Sequence, residues 1–372
     1  MSNVLELVTS APFLFAALYS AVVLILFYFG IWLFRKRILP SIKLELQRHN
    51  ANPVISPSSH REWEMVGTFN PAVIKDNEGF VHLLYRAIGN DGLSRIGYAK
   101  SSDGMNFAER SPYPVYISEA TRPETDIDRV RGYNPSIYTS GGGWGGCEDP
   151  RAVVIDGQVY MTYTAFEGWD SVRIGLTSIS VEDLQKKHWN WKAPRLISPP
   201  NEVHKNWVLF PEKINGKFAV LHGIFPKIRI DYLNTVQNGE EEYIKSTAPA
   251  GGRTDYWDNW VRGAGPPPIK TSLGWLLLYH AMDHSDPNKY KLGCMILDIN
   301  EPTKVLYRAP DPILEPDMHY ENDWKPGVVY ASGALIIDND LVVYYGGGDK
   351  YVCVAKTPIK PLLEWLQEYG KV

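Results

Sequence analysis

The sequence predicts an all-β fold, a five-bladed β-propeller preceded by one N-terminal transmembrane helix. Three observations predict it: a long uncharged apolar run opens the chain, helical periodicity nearly disappears after it, and one strand pattern then recurs five times. The chain has 372 residues, of which 44% are hydrophobic and 12% aromatic. This composition provides for a sizeable core and argues against global disorder.

The first element is the apolar run at residues 7–34, which contains no charged residue. Such a run is long enough to span a hydrocarbon core of about 30 Å. Positive charges follow it at Arg35, Lys36 and Arg37, whereas a signal peptide carries them before the run. Under the positive-inside rule, the rest of the chain lies in the cytoplasm. The sequence therefore predicts an anchor at 1–37, a juxtamembrane linker at 38–60 and a single-pass membrane protein.

The recurring strand pattern defines the remaining elements. Its five copies align at spacings of 78, 59, 57 and 66 residues, and the aligned positions are Tyr85, Tyr163, His222, Tyr279 and Tyr345. Hairpin turn signals precede the copies, and several copies are followed by a second strand. All-β units of about sixty residues are typical of propeller blades. Residues 61–372 are therefore predicted to form five blades, closed by a short C-terminal helix near residues 361–366.

The most distinctive motif is the segment at 146–151, Gly-Cys-Glu-Asp-Pro-Arg, which follows a glycine-rich loop and leads into an apolar strand. Neighbouring side chains of an extended segment point to opposite faces. One of Glu148 and Asp149 should therefore face a central site, while the other, with Arg151, orients it. In a propeller, loops from every blade converge on the axis and form a polar pocket.

Charge and cysteine content exclude other classes of function. The formal net charge is −4, from 38 basic and 42 acidic residues, which argues against a nucleic-acid binder. Three scattered cysteines give neither a disulfide framework nor a zinc motif. His222 and His280 occupy equivalent repeat positions, but no carboxylate stands at ligand spacing, so no metal site is predicted.

With these residues in hand, the chain resembles glycoside hydrolase family 130, five-bladed propellers that act on β-mannosides. The resemblance covers about residues 70–358, and its blocks are 70–72 with 84–87, 146–151, 209–217, 265–271, 274–280 and 344–349. It implies an enzyme that cleaves β-mannosidic bonds of an oligosaccharide with inversion, by hydrolysis or by phosphorolysis. It also implies no cofactor, although phosphorylases of the family use inorganic phosphate as co-substrate and release α-mannose 1-phosphate.

The resemblance also implies roles for individual residues. Asp149 matches the catalytic acid, which protonates the glycosidic oxygen through the 3-hydroxyl of mannose. The predicted substrate-binding residues are Asn70, Arg86, Glu148, Arg151, His280 and Asp349. The predicted residues on the phosphate or leaving-group side are Lys205, Asn206 and Lys270. Desolvation and Glu148 would raise the pKa of Asp149 and Arg151 would lower it, so its direction stays open.

One departure from the family pattern leaves the nucleophile open. The family's phosphorylases carry an arginine after the third-blade histidine, where this chain has His222-Gly223, and their Arg-Asn pair is Lys205-Asn206 here. Loss of a guanidinium weakens phosphate binding and favours water slightly. A hydrolase needs a second carboxylate as base, and the candidates are Glu212, Asp255, Asp258 and Glu321. The cations that would compensate in a phosphorylase are Arg253 and Arg262.

Two alternative functions remain beside the mannoside-cleaving enzyme. A five-bladed glycosidase of the arabinan or fructan type would not predict the Gly-Pro-Pro-Pro-Ile-Lys run at 265–270. A non-catalytic propeller that binds a glycan or a protein partner would not need to retain Asp149, Arg86 and Asp349. Four loop tryptophans are candidates for stacking on sugar rings, namely Trp144, Trp257, Trp260 and Trp324.

Overall fold

The computed structural model describes residues 19–28, 43–117, 141–169, 172–236, 243–247 and 249–372. The chain divides into two units, residues 1–43 and residues 44–372. In the first unit the described part is helical, at residues 19–28.

The prediction of a transmembrane helix is wrong. No helix among the described residues is long and apolar enough to cross a bilayer. The helical stretch at 19–28 would extend about 15 Å at 1.5 Å per residue, half of the hydrocarbon thickness. The rest of the predicted anchor, at 1–18 and 29–37, lies outside the described residues. The single-pass membrane localisation and the cytoplasmic orientation were derived from this anchor and are corrected with it.

The described strands of the second unit form four hydrogen-bonded sheets, and the largest of them consists of two antiparallel sheets, so that five antiparallel sheets follow one another in chain order. The chain enters through β1 (Gln47–Arg48), which pairs with the last strand of the fifth sheet. The first sheet contains β2 (Gly67–Lys75), β3 (Val81–Ile88), β4 (Leu93–Ser101) and β5 (Glu109–Arg110). The second contains β6 (Gly145–Ile155), β7 (Gln158–Phe166), β8 (Val172–Ser180) and β9 (Arg195–Leu196). These two sheets are linked by a short parallel pairing between β4 and β6.

The remaining three sheets repeat the pattern. The third contains β10 (Val208–Leu209), β11 (Phe218–Gly223) and β12 (Arg229–Leu233). The fourth contains β13 (Trp260–Ala264), β14 (Ile269–Thr271), β15 (Gly274–Asp283), β16 (Asp286–Leu297) and β17 (Val305–Arg308). The fifth contains β18 (Val329–Ile337), β19 (Asp340–Gly347) and β20 (Tyr351–Pro358). Among the described residues of this unit, two helices lie outside the sheets, α1 (Val181–Lys186) and α2 (Ile359–Tyr369). Short 3-10 turns occur at Glu62–Glu64 and His319–Glu321.

The sheets follow one another around a closed ring. Strand β2 packs against β6 and β18, β6 packs against β10, β11 against β13, and β16 against β18. The hydrophobic core is divided among the five spaces between neighbouring sheets. Side chains alternate along a strand, so Leu83 and Tyr85 of β3 pack against the fifth sheet while Leu84 packs against the second. Each sheet is therefore covered on both faces.

Three of the recurring tyrosines are anchored by carboxylates that are fully buried and also paired with arginine. The three sets are Tyr85–Glu64–Arg110, Tyr279–Asp258–Arg308 and Tyr345–Glu321–Arg48. In each set the hydroxyl donates to the carboxylate over 2.7 or 2.8 Å. The second sheet uses a hydroxyl contact of 3.0 Å between Tyr163 and Tyr116 instead. The tyrosine repeat thus belongs to the architecture of the sheets.

The three cysteines are buried, none belongs to a disulfide, and each lies in a different sheet. Cys147 is in β6, Cys294 in β16 and Cys353 in β20. Burial raises the pKa of the thiols of Cys294 and Cys353. All three therefore act as small apolar core residues in the folded protein.

Candidate active site

A cavity of about 910 Å³ opens where the five sheets meet. Each sheet supplies lining residues, among them Asn70, Asp149, His222, Arg262 and Asp349. The volume lies in the range of small-ligand sites, which are typically about 300–1,000 Å³. The cavity is therefore large enough for an oligosaccharide and combines titratable groups that are distant in sequence.

Asp149 lies at the inner wall of this cavity, at an irregularity in β6. The pairing of β6 with β7 shifts register between Glu148 and Arg151, and Asp149 has a φ of +50°. Its carboxylate accepts hydrogen bonds from Asn70 Nδ2 at 2.7 Å and from Arg86 Nη1 at 3.2 Å. Register shifts of this kind re-aim a side chain next to active sites. The shift turns Asp149 into the cavity, whereas Glu148 is fully buried.

Asp149 is ionised in the ligand-free protein. Burial alone would raise the pKa of its carboxyl group, but the charges of Arg86, Lys205 and Arg151 outweigh burial and lower the pKa to about 2. The hydrogen bond from Asn70 acts in the same direction. The sequence left open whether the pKa of Asp149 is raised or lowered. It is lowered, because the opposite charges nearby outweigh desolvation.

Arg86 fixes both carboxylates of the motif. It extends from β3, is almost fully buried, and donates to Glu148 Oε1 at 2.7 Å and to Ser94 Oγ at 3.0 Å in addition to Asp149. The ring of Phe69 lies 4.8 Å from the guanidinium carbon. These hydrogen bonds and the packing on Phe69 fix the orientation of the Arg86 guanidinium.

Asn70 of the first sheet is in direct contact with the Asp149 carboxylate. Its Oδ1 is buried and has no hydrogen-bond partner among the described residues, so it is available to a ligand hydroxyl. Gly346 of the fifth sheet makes this position possible, because a Cβ there would lie 2.0 Å from that oxygen. Asn70 itself has a φ of +48° within a register shift of β2.

Two further predicted residues have different roles. Asp349 lines the cavity and accepts a hydrogen bond from Lys325 Nζ at 2.9 Å. Arg151 is buried and bonds to groups of the protein itself, including the Asp149 carbonyl at 2.7 Å and the Gly265 carbonyl at 3.0 Å. Its Nη2 also donates to the hydroxyl of Tyr330 at 2.7 Å. Arg151 therefore ties the second, fourth and fifth sheets together behind Asp149.

His280 supports the cavity wall from behind. It is fully buried, its Nε2 accepts the backbone N–H of Ala331 at 2.9 Å, and its ring stacks on Tyr330 at 4.4 Å. Burial and the charge of Arg151 lower its pKa to about 3, so the ring is neutral. Tyr330 lines the cavity. The structure thus places His280 one layer away from the substrate position that the sequence predicted.

The residues predicted on the phosphate side separate into two groups. Lys205 and Asn206 line the cavity, and Lys205 Nζ is 3.1 Å from Glu148 Oε2. Lys270 does not line the cavity: it is an exposed residue of β14 whose Nζ pairs with Glu212 at 2.8 Å. The structure therefore does not bring Lys270 to the site, because its place in the strand directs it to solvent.

None of the four candidate bases lines the cavity. Glu212 is occupied by Lys270, and Asp255 is exposed in a loop. Asp258 and Glu321 are the buried carboxylates beneath Tyr279 and Tyr345. Within the described part of the chain, Asp149 and Asp349 are the only carboxylates that line the cavity.

Several lining residues escaped the sequence analysis. Tyr330 and Tyr290 stack on each other at 5.7 Å, and Lys325 and Trp169 complete other parts of the wall. They belong to no repeat position or motif block, so no sequence signal marks them. Of the candidate tryptophans Trp260 lines the cavity, whereas Trp257 stacks on Tyr279 inside the fourth sheet.

Comparison with known proteins identifies the family of the chain. The profile of glycoside hydrolase family 130, described as β-1,4-mannooligosaccharide phosphorylase, matches residues 45–368. The chain is 37% identical to a 1,2-β-oligomannan phosphorylase of Thermoanaerobacter sp. strain X514, over 86% of this chain and 99% of that protein. It is 35% identical to a β-1,2-mannobiose phosphorylase of the same strain, over 83% and 96%.

A solved structure supports the same relationship. The β-1,2-mannobiose phosphorylase of Listeria innocua, in complex with β-1,2-mannobiose, is similar with a TM-score of 0.65 and 25% identity. The similarity covers 87% of this chain and all of that chain.

Proposed function

Because the chain belongs to glycoside hydrolase family 130, it is an enzyme that cleaves β-mannosidic bonds, and we propose that it does so by phosphorolysis of β-1,2-linked oligomannosides. Phosphate as nucleophile and the β-1,2 linkage are the new elements of this proposal. The observation that supports phosphate is the composition of the cavity wall.

The cavity offers cations where a hydrolase would need a second carboxylate. An inverting hydrolase activates water with a base about 6.5–9.5 Å from the acid. The candidate bases lie elsewhere, and Asp349 is already paired with Lys325. The wall instead carries Lys205 and Arg262, with Asn206 beside them. Fixed cations and N–H donors are what a phosphate dianion requires.

The relatives support the linkage. Two relatives, at 37% and 35% identity, are named for β-1,2-linked mannosides, and the similar solved structure holds β-1,2-mannobiose. We therefore assign a β-1,2-mannobiosyl end to the substrate, with the terminal mannose next to Asn70, Asp149 and Asp349.

The chemistry follows from the state of Asp149. Phosphate attacks the anomeric carbon, the glycosidic C–O bond breaks, and the leaving oxygen takes a proton. Asp149 is a carboxylate in the free protein, so it has to gain a proton when the substrates bind. Exclusion of water and the arrival of a phosphate dianion both raise a carboxyl pKa. Passage of this proton through a mannose hydroxyl would allow Asp149 to remain bonded to Asn70.

Phosphate dependence tests this function. The full chain is incubated with β-1,2-mannobiose with and without inorganic phosphate, and mannose 1-phosphate and free mannose are quantified. We expect one mannose 1-phosphate for each bond cleaved, and no cleavage without phosphate. Release of mannose at an undiminished rate in phosphate-free buffer would show a hydrolase. Faster cleavage of β-1,4-mannobiose than of the β-1,2 isomer would overturn the linkage.

A further inference from the structure

Arg262 is an arginine of the cavity wall whose charge no carboxylate neutralises. It belongs to β13, which shifts register against β15 between Val261 and Gly263, and its side chain is exposed to the cavity. Among the described residues it forms no ion pair with Asp or Glu. The ring of Trp260 lies 4.7 Å from the guanidinium carbon, and the charge of Arg262 acts on the nearby hydroxyl of Tyr290.

The guanidinium is held in place before any ligand arrives. Trp260 lies two residues before Arg262, and its ring lies under the guanidinium despite the register shift between them. The indole of Trp260 also stacks on His284, with ring centroids 5.5 Å apart and an interplanar angle of 13°. Asn259 fixes the turn that carries His284, because its Oδ1 accepts the His284 N–H at 2.9 Å. Stacking of a guanidinium on an aromatic ring stabilises its position without neutralising its charge.

Arg262 is also adjacent to the pair at 205–206. The Nδ2 of Asn206 donates to the Arg262 carbonyl at 3.1 Å. The next residue is a glycine with a φ of +132°, and a Cβ there would lie 2.8 Å from Asn206 Nδ2. This close approach brings the backbones of the third and fourth sheets together at the cavity. Asn206 and Arg262 are therefore neighbours in space although 56 residues apart in sequence, and Lys205 lines the same cavity.

The other arginines near the site are engaged elsewhere. Arg86 is neutralised by Glu148 and Asp149. Arg253 pairs with Asp258 at 2.8 Å, away from the cavity. Arg229 packs its stem against Gly223, and its Nη1 donates to Thr247 Oγ1.

We propose that Arg262 binds the phosphate co-substrate together with Lys205 and Asn206, and that Trp260 and His284 position its guanidinium. This inference rests on the proposed phosphorolysis. It assigns to the fourth sheet the guanidinium that Gly223 of the third sheet cannot supply. Two N–H groups of Arg262 then face two phosphate oxygens, the bidentate geometry that distinguishes arginine from lysine.

The test separates the affinity for phosphate from the affinity for sugar. Arg262→Ala should raise the KM for phosphate at least about tenfold, as expected for loss of a charge-assisted contact, with the KM for β-1,2-mannobiose within about twofold. Arg262→Lys should recover part of the affinity, because the charge remains and the fork is lost. His284→Ala should give a smaller rise in the same constant. Lys217→Ala, an exposed lysine of the third sheet, is the matched control and should change neither constant.

Binding of inorganic phosphate alone, measured by calorimetry on the full chain, provides a readout independent of turnover. A wild-type enzyme that needs phosphate, with Arg262→Ala unchanged in its phosphate KM, would overturn the role of Arg262 and leave phosphorolysis intact. If the KM for phosphate rose in Arg229→Ala and not in Arg262→Ala, the role of Arg262 would also be overturned, and the phosphate site would be placed at the third sheet. Cleavage by the wild type without phosphate would instead remove the proposed function itself.

Discussion

At the scale of single residues, the chemistry depends on how Asp149 is held. A left-handed backbone conformation in a strand is uncommon for aspartate, and it is maintained here by hydrogen bonds from Asn70 and Arg86. The same contacts keep the carboxyl group ionised until substrates bind. Position and charge state are thus set by one group of neighbours.

Asp149→Asn should abolish turnover while the fold remains. The amide keeps the size of the side chain but cannot deliver a proton, and general acid catalysis contributes roughly 10²–10⁴-fold to a rate. We expect kcat on β-1,2-mannobiose to fall by about that factor. Thermal unfolding of both forms provides the control for folding. Equal kcat values in the two forms would remove Asp149 from the catalytic step.

The residues of the site divide by whether a local motif marks them. Asp149, Arg86 and Asp349 stand in motif blocks, and the sequence was sufficient to select them as candidates that the structure brings together. Arg262 was one of two candidate cations beside Arg253, and the choice between them depends on the register shift of β13. Tyr330 was not predicted, because packing between sheets is not encoded locally in a single sequence. Lys270 was assigned by its block alone, and the direction of its side chain in β14 places it in solvent.

At the scale of secondary-structure elements, the wall formed by Tyr330 depends on a neutral histidine. His280 accepts a backbone hydrogen bond across from β15 to β18 and stacks beneath the tyrosine. Protonation would replace that acceptor with a donor and place a charge beside Arg151. The fold therefore keeps the pKa of His280 low, at about 3.

His280 should make stability dependent on pH between about 6.5 and 3. The unfolded chain binds a proton at the ordinary histidine pKa and the folded protein does not, so stability is present above that pKa and is lost as pH falls. Between pH 7 and pH 5 this amounts to about 2 kcal/mol. The His280→Gln variant retains a hydrogen-bond acceptor but does not titrate. Between pH 7 and pH 5 its free energy of unfolding should therefore fall by about 2 kcal/mol less than that of the wild type, as measured by urea unfolding at both pH values. An identical pH dependence in the two proteins would contradict the buried neutral ring.

The elements themselves were only partly accessible from sequence. Hairpin turns and the tyrosine repeat mark the long central strands, because alternation and turn residues are local signals. The two-residue strands β1, β5, β9 and β10 carry no such signal. They form because a neighbouring edge offers unpaired backbone groups.

At the scale of the whole molecule, the fifth sheet joins both ends of the described second unit. Strand β1 pairs with β20, and Arg48 of β1 forms two hydrogen bonds, of 2.8 and 2.9 Å, with the buried Glu321. The ring is therefore closed by a segment that precedes the first sheet in sequence. The membrane anchor was predicted from the length of the preceding apolar run and from the charges that follow it, and neither of these determines the helix that forms.

Arg48→Ala should destabilise the ring by about 3 kcal/mol, since it leaves a buried carboxylate without its cation. Glu321 also holds Tyr345, so the loss extends to the centre of the fifth sheet. Lys356→Ala removes an exposed pair with Asp340 from the same sheet and should cost less than about 1 kcal/mol. Denaturant unfolding of both variants gives the comparison, and equal losses would show that closure through β1 contributes little.

Because the three buried thiols lie in three different sheets, their reactivity can report which sheets separate from their neighbours. An alkylating reagent can reach Cys147, Cys294 or Cys353 only when the sheet that carries it separates from its neighbours. Mass spectrometry of labelled peptides would then give a separate opening rate for the second, fourth and fifth sheets. If the ring opens locally between two sheets, one cysteine would be labelled early. If the ring opens in a single cooperative event, all three would be labelled together.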